Sequence, residues 1–185
     1  MILEILIRAP YQKTWKDGTK TVQRDSIVEK VLLGLLAVFM FVLPLVYFIT
    51  PWLNFANYRL PDWLGWTGIV LIICSLLVFW RSHYDLKSNW SPTLEIRKNH
   101  TLITTGIFAY IRHPMYASQW LWVIAQPLLL QNWLAGPTNL LFFIVFYLLR
   151  VRAEEKMMID TFGKKYLDYK ASVGAIIPRN FGKPN

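Results

Sequence analysis

From Met115 to Leu149 the chain carries no charged residue. A single helix over that stretch would be on the order of 50 Å long at about 1.5 Å per residue, well beyond the roughly 30 Å hydrocarbon core of a bilayer. The run must therefore fold back on itself. Asn132, Gly136 and Pro137 supply turn signals, which place the division near Leu134–Pro137. Pro127 interrupts the first half. The two halves read as a tight helical hairpin, one arm of which need not cross completely.

Two further runs are free of charge. Val31 to Ile49 is rich in Leu, Val and Phe, with Pro44 expected to bend it, and Trp63 to Trp80 has aromatics at both ends, where amphipathic rings prefer the interface. The chain is 55 % hydrophobic and only 17 % charged, the composition of a membrane protein rather than of a soluble domain. The basic residues then orient it. Arg8, Lys13, Lys16, Lys20, Arg24 and Lys30 precede the first run, and only Arg59 lies between the first and second. Arg81, Lys87, Arg97, Lys98 and Arg112 follow the second; the turn near 132–137 has none, and the tail from Arg150 has the rest. This alternation predicts four spans with both termini cytoplasmic. The expected fold is an all-α polytopic membrane protein with four transmembrane helices, or five if one span is split or an N-terminal piece is embedded.

Residues 1–185 read as a single integral-membrane domain. Residues 1–30 form a cytoplasmic N-terminal segment with no signal-peptide pattern, and Met1–Ile7 is too short to span. The segments 81–114 and 150–185 lie on one face and hold most of the polar residues, so a shared site is geometrically open to them. The net charge of +9 follows membrane orientation rather than nucleic-acid binding. Cys74, the lone cysteine, reads as a small buried hydrophobe. His83, His100 and His113 lack metal-ligand spacing, so no metal is expected. No phosphate loop, dinucleotide fingerprint or nucleophile elbow is present.

Three polar clusters stand out. The fourth run leads straight into Arg150-Val151-Arg152-Ala153-Glu154-Glu155, so its helix should continue out of the membrane, with Arg150 and Glu154 on one side at i, i+4. A helix end near Gly163 and a short amphipathic helix follow. A solvated helix end with a weak ion pair has the same pattern. The second cluster runs from His100 through Arg112-His113-Pro114-Met115-Tyr116. Pro114 disfavours helix at His113 and suits the first position of the next helix. Its unpaired N–H groups could hold a carboxylate, although an interfacial helix start with basic and aromatic anchors looks alike. The third is Arg81, placed either to snorkel to headgroups or to bind an anionic group bidentately.

Together, Arg112-His113-Pro114-Met115-Tyr116, then Arg150, Glu154-Glu155, Phe162-Gly163, Tyr166, Tyr169 and Pro178, resemble the isoprenylcysteine carboxyl methyltransferase family over roughly residues 63–180. The resemblance suggests a prokaryotic or archaeal member. Ser118 departs from the glycine usual two residues after the motif tyrosine. The resemblance implies S-adenosylmethionine as cofactor and S-adenosylhomocysteine as product. It implies cofactor contacts from His100, Thr101, Leu102, Ile103, Phe108, His113, Pro114, Met115, Tyr116 and Glu154. It also implies that Arg150, with Arg81 near the reacting group, meets the carboxylate of a prenylated or lipid-like substrate, with membrane lipids as further partners. Alternatives left open are N-methylation of an aminolipid, a non-enzymatic small transporter or scaffold, and a reductase sharing the helical core.

Overall fold

The computed structural model describes residues 2–16, 20–23, 27–90, 95–97 and 101–179. Seven α-helices account for most of them: α1 Ile2–Lys16, α2 Ile27–Ala37, α3 Leu43–Ile49, α4 Asp62–Leu86, α5 Pro114–Leu130, α6 Pro137–Phe162 and α7 Lys164–Ser172. The all-α expectation misses one small ribbon. Strand β1 (Lys20–Gln23) pairs antiparallel with β2 (Glu95–Arg97), Val22 lying opposite Ile96. Both segments set a β-branched residue between polar ones and are too short to establish a helical period.

Pro44 leaves its mark as a change of helix type. A π-helical turn, Val38–Val42, joins α2 to α3, and Leu43 N–H reaches back to Val38 O. Proline has no N–H to continue the α ladder, and Gln126 Nε2 donates to Phe39 O at 3.1 Å. Two helical stretches, Lys30–Ile49 and Asp62–Leu86, are long and apolar enough to cross a bilayer, and only 6 % and 17 % of their apolar windows is buried. The core helix of a soluble protein would instead be mostly covered, so these surfaces suit lipid. Helix α5 has 17 residues, about 25 Å of length, short of a full hydrocarbon core.

The chain divides into two compact units. The apolar unit comprises Ser26–Ser75 and Ser118–Leu149. Within it, small residues bring α4 and α5 together. Ser75 Oγ donates to Ser118 O at 2.8 Å, both serines being fully buried. The serine at 118 thus serves the close packing that a glycine would allow. The hairpin turn forms where expected, over 133–136. Asn132 Oδ1 accepts from Leu134 N–H and Ala135 N–H at 3.0 Å each, while its Nδ2 donates to Leu53 O at 2.6 Å and Asn57 Oδ1 at 2.8 Å. A Cβ at Gly136 would lie 2.8 Å from Pro127 Cα, so only glycine fits this turn. Pro127 stays inside α5. Gln126 Nε2 donates to Ala135 O at 2.6 Å, and Asn139 Nδ2 donates to Gln126 Oε1 at 2.6 Å.

The polar unit comprises Met1–Asp25, Leu76–Ala117 and Arg150–Asn185. As expected, α6 runs uninterrupted past Arg150, stops at Gly163 with φ of 54°, and hands over to α7. Tyr166, Tyr169 and Val173 form a core against which Leu102, Met158, Ile159 and Phe162 pack.

Candidate active site

Two short segments, 112–116 and 150–155, meet inside the polar unit. Pro114 opens α5 as its first residue, and His113 O caps the helix by accepting Ala117 N–H at 3.0 Å. The extended backbone just before is pinned by the tail: Arg112 N–H donates to Gly174 O at 2.8 Å and His113 N–H to Ala175 O at 2.9 Å. These two amides are thereby committed within the protein. Arg112 Nη1 adds a bond to Lys170 O at 3.1 Å and another to Val173 O.

The side chains then build a charged cluster. Glu155 Oε1 accepts from Arg112 Nη2 at 2.9 Å and lies 3.2 Å from His113 Nε2, while Lys170 Nζ donates to Glu155 Oε2 at 2.6 Å. His113 Nδ1 lies 3.7 Å from Glu154 Oε1. Tyr116 Oη donates to Glu154 Oε2 at 2.8 Å and accepts from Arg150 Nε at 3.0 Å. The one phenol thus bridges the i, i+4 pair Arg150 and Glu154. The side chains of Arg112, His113 and Glu155 are 7 %, 3 % and 13 % exposed, but that of Glu154 is 31 % exposed. Arg112 Nε is buried and has no hydrogen-bond partner among the described residues.

Charge states follow from these contacts. Burial alone would discharge His113, but hydrogen bonds and charge from Glu154 and Glu155 outweigh it and push its pKa up to about 9. Glu154 is pushed up by burial and, more strongly, held down by His113, Tyr116 and Arg150. Glu155 is held well below the usual carboxylate range by the His113 hydrogen bond, with burial opposing and Lys170 and Arg112 assisting. Near neutral pH the cluster is an imidazolium between two carboxylates.

The other described candidate residues lie in the same polar unit. Phe108 is buried in the turn Gly106–Ala109, and Tyr169 Oη donates to its carbonyl at 2.6 Å. Thr101 N–H donates to Asn89 Oδ1 at 3.1 Å; Leu102 joins the Tyr166 core, and Ile103 is half-buried. Pro114 is fully buried and Met115 half-buried at the start of α5. His100 lies outside the described residues. Arg81 has a different partner: its Nε donates to Asp85 Oδ2 at 2.9 Å, and the side chain is 46 % exposed. Asp85 Oδ2 also accepts Ile107 N–H at 2.7 Å. Arg81 lines an open depression with Gly106, Ile107, Ala109 and Tyr110. Sequence reasoning gave no role to Arg112, Glu155, Lys170 or Asp85. The adjacent glutamates and the Arg81/Asp85 spacing were the available signals, whereas nothing local marks Lys170.

Apolar helices carrying a buried ion cluster at their polar ends define a class, that of helical membrane proteins with a polar site. The particular family follows from comparison with known proteins. The family model of the isoprenylcysteine carboxyl methyltransferase (ICMT) family matches residues 66–160. The chain belongs to that family. The protein-S-isoprenylcysteine O-methyltransferases of Mus musculus and Homo sapiens are each 30 % identical over 139 residues, covering 70 % of this chain and 49 % of theirs. That of Saccharomyces cerevisiae is 32 % identical over 138 residues, covering 71 % of this chain and 56 % of its own. The chain therefore spans about half the length of the curated relatives it matches. A solved structure of the eukaryotic intramembrane Ras methyltransferase ICMT superposes with a TM-score of 0.63 at 28 % identity, over 95 % of this chain and 61 % of that one. The prokaryotic or archaeal affiliation is not borne out by these eukaryotic relatives, and the aminolipid, transporter and reductase alternatives draw no support from them.

Proposed function

We propose that this chain transfers a methyl group from S-adenosylmethionine to the carboxylate of a prenylated cysteine or a similar lipid-like acid at the cytoplasmic face of a membrane. The observation that carries the reading is the convergence, in a chain of this family, of 112–116 and 150–155 into one charged cluster. The residues present suit the cofactor. Glu154, ionised and part-exposed, offers a partner for an ammonium group. The unpaired buried Nε of Arg112 offers a donor to a carboxylate. Phe108, with Leu102 and Ile103, offers apolar borders.

Bound S-adenosylmethionine supplies an electrophilic methyl on a sulfonium and leaves as S-adenosylhomocysteine. The acceptor carboxylate is already ionised at neutral pH, so no general base is required. The protein's task is alignment, a proximity effect. In this reading Tyr116 fixes Arg150 relative to Glu154, and Arg150 orients the carboxylate through its fork of donors. Charge on both reactants shrinks along the reaction, so too tight a grip on the carboxylate would stabilise the ground state more than the transition state. Arg81, tied to Asp85 in its open depression, guides the acid toward Arg150. Four crossings with both termini cytoplasmic complete the reading. The substrate's apolar tail enters from the bilayer and the cofactor from water.

The test is transfer of labelled methyl to S-farnesyl-N-acetylcysteine by detergent-purified protein. The expected product is base-labile and releases methanol, as an ester does. A base-stable methylated amine formed from an aminolipid would replace this reading with N-methylation, and absence of any transfer would remove it.

A further inference from the structure

Helix α1 lies outside the family-matched region 66–160 and outside the charged cluster. Its sidedness is inverted. Glu4, Ile7, Arg8 and Tyr11, at i, i+3, i+4 and i+7, share one face. Glu4 is 6 % exposed and the other three are half-buried, so the face that holds both charged residues between Leu3 and Gln12 is the one packed on the protein. The opposite face carries Leu3, Ile5, Leu6, Ala9 and Pro10, all exposed, with the three large side chains at 56 %, 63 % and 61 %. From Leu3 to Pro10 every exposed residue is apolar. A helix docked on a protein in water shows the reverse, apolar residues inward and charges outward.

The packed face meets α4 and the turn after it. The Arg8 guanidinium carbon lies 5.4 Å from the ring centroid of Phe79 and 5.6 Å from that of Trp90, and the Tyr11 ring lies 5.3 Å from that of His83. Residue 8 beside 79 and residue 11 beside 83 set α1 running along α4 in the same direction. Leu3, Ile5 and Leu6 therefore fall on the apolar side of Phe79, away from the Arg81 end. At that end α4 exposes Trp80 and Tyr84, whose rings lie 5.8 Å apart. A Trp and a Tyr closing an apolar run beside an arginine mark the membrane–water boundary, where amphipathic rings settle. Helix α1 thus passes this belt at Arg8 and Tyr11 and turns a bare apolar face outward beyond it.

We propose that α1 is a lipid-contacting helix that enters the bilayer beside α4, with Leu3, Ile5 and Leu6 against acyl chains, and is not part of a solvated cytoplasmic segment. Lipid suits this face better than a second copy of the chain does. The patch Leu3, Ile5, Leu6, Ala9 and Pro10 is far smaller than the roughly 20–30 residues a side of a stable protein interface. Charges are costly against hydrocarbon, and here Glu4 and Arg8 are held on the protein side. With 15 residues, about 22 Å of helix, α1 is shorter than the roughly 30 Å hydrocarbon core and leaves the number of crossings proposed above unchanged. The inference rests on burial and sidedness and is independent of the methyltransferase reading.

The test is spin-label accessibility on the full-length chain, in a Cys74→Ser background, reconstituted in phosphatidylcholine–phosphatidylglycerol vesicles. Nitroxides are attached at Leu6→Cys, at Val70→Cys on the exposed side of α4 as the lipid reference, and at Asp168→Cys on α7 as the water reference. Oxygen concentrates among acyl chains, whereas a nickel chelate stays in water. The label at 6 should follow the label at 70, open to oxygen and with nickel-chelate access lost. Chelate access at 6 equal to that at 168 places the face in water and overturns the proposal. Protection from both reagents means that protein covers the face and overturns it as well, and relief of that protection on dilution into excess lipid would identify the cover as a second copy. If Leu6→Cys does not fold, Ile5→Cys on the same face is judged by the same two reagents. Chelate access at 70 would contradict the membrane placement of α4 itself, and the placement of α1 with it.

Discussion

The two units solve the burial of polar groups in opposite ways. In the apolar unit the buried polar side chains are neutral amides and hydroxyls: Gln126, Asn132, Asn139, Ser75 and Ser118. They bond mostly to backbone carbonyls and amides at a proline, a turn or a close helix crossing. In the polar unit Ser82 and His83 are buried neutral, but the cluster on α6 carries charge, and Glu155 alone gathers Arg112, His113 and Lys170. Neutral amides repair the backbone where it departs from regular helix. A buried cluster of ions is a costly way to hold a fold together, which supports the proposed cofactor site over Arg150–Glu155 of α6.

The largest effect should come from Glu155→Ala. It strands one cation at 7 % exposure and an imidazolium at 3 %. Breaking a buried pair from one side costs about 3–5 kcal/mol, so thermal unfolding in detergent should fall sharply, and S-adenosylhomocysteine affinity with it. An unchanged melting temperature would mean that the cluster is solvated and the comparison wrong. Gln126→Leu should come next. It leaves Asn139 Nδ2 and the carbonyls of Ala135 and Phe39 short of partners, at about 1–3 kcal/mol. Stability should drop while S-adenosylhomocysteine affinity stays; loss of both would erase the division of labour between units.

Gly106→Ala should act locally. Gly106 has φ of 63°, and an added Cβ would lie 2.2 Å from Asp85 Oδ2. The left-handed backbone alone costs about 1–2 kcal/mol for alanine, and displacing Asp85 releases both Arg81 and Ile107. Catalytic efficiency should fall more than stability, measured by KM for the acceptor against melting temperature. A further effect is pH dependence. The folded-state pKa of His113 is raised to about 9 from an ordinary 6.5. Its stabilising charge is therefore complete below 6.5 and is lost as pH rises through about 9. Glu155 is depressed from an ordinary 4.5, so its contribution is present above that value and is lost as pH falls below it. Melting temperature should form a plateau between these limits, and His113→Gln should remove the alkaline edge. An alkaline edge that persists in that variant assigns it to another group.

Much of the scaffold was legible because it is local. The charge-free run 115–149 dictated a hairpin, Pro114 marked the start of α5, and the fourth run, leading straight into Arg150, carried α6 past it to Gly163. The pairing of Arg150 with Glu154 on one face was legible for the same reason; the Tyr116 hydroxyl between them was not, since it arrives from another helix. The ribbon Lys20–Gln23 with Glu95–Arg97 escaped notice because each strand is too short to declare a period. Gln126 and Asn139 were hidden inside an uncharged run, where an amide looks like any other residue. The place of Arg8 was least legible of all, since it meets Phe79 and Trp90 only when α1 packs.

The most direct test of the central claim is S-adenosylhomocysteine binding to the detergent-purified chain by calorimetry, with Glu154→Ala and His113→Ala beside the wild type. The account predicts binding by wild type and, from the loss of charged hydrogen bonds, at least about tenfold weaker binding by both folded variants. A folded wild type that does not bind, or variants that bind as wild type does, would contradict the assignment of this cluster to the cofactor.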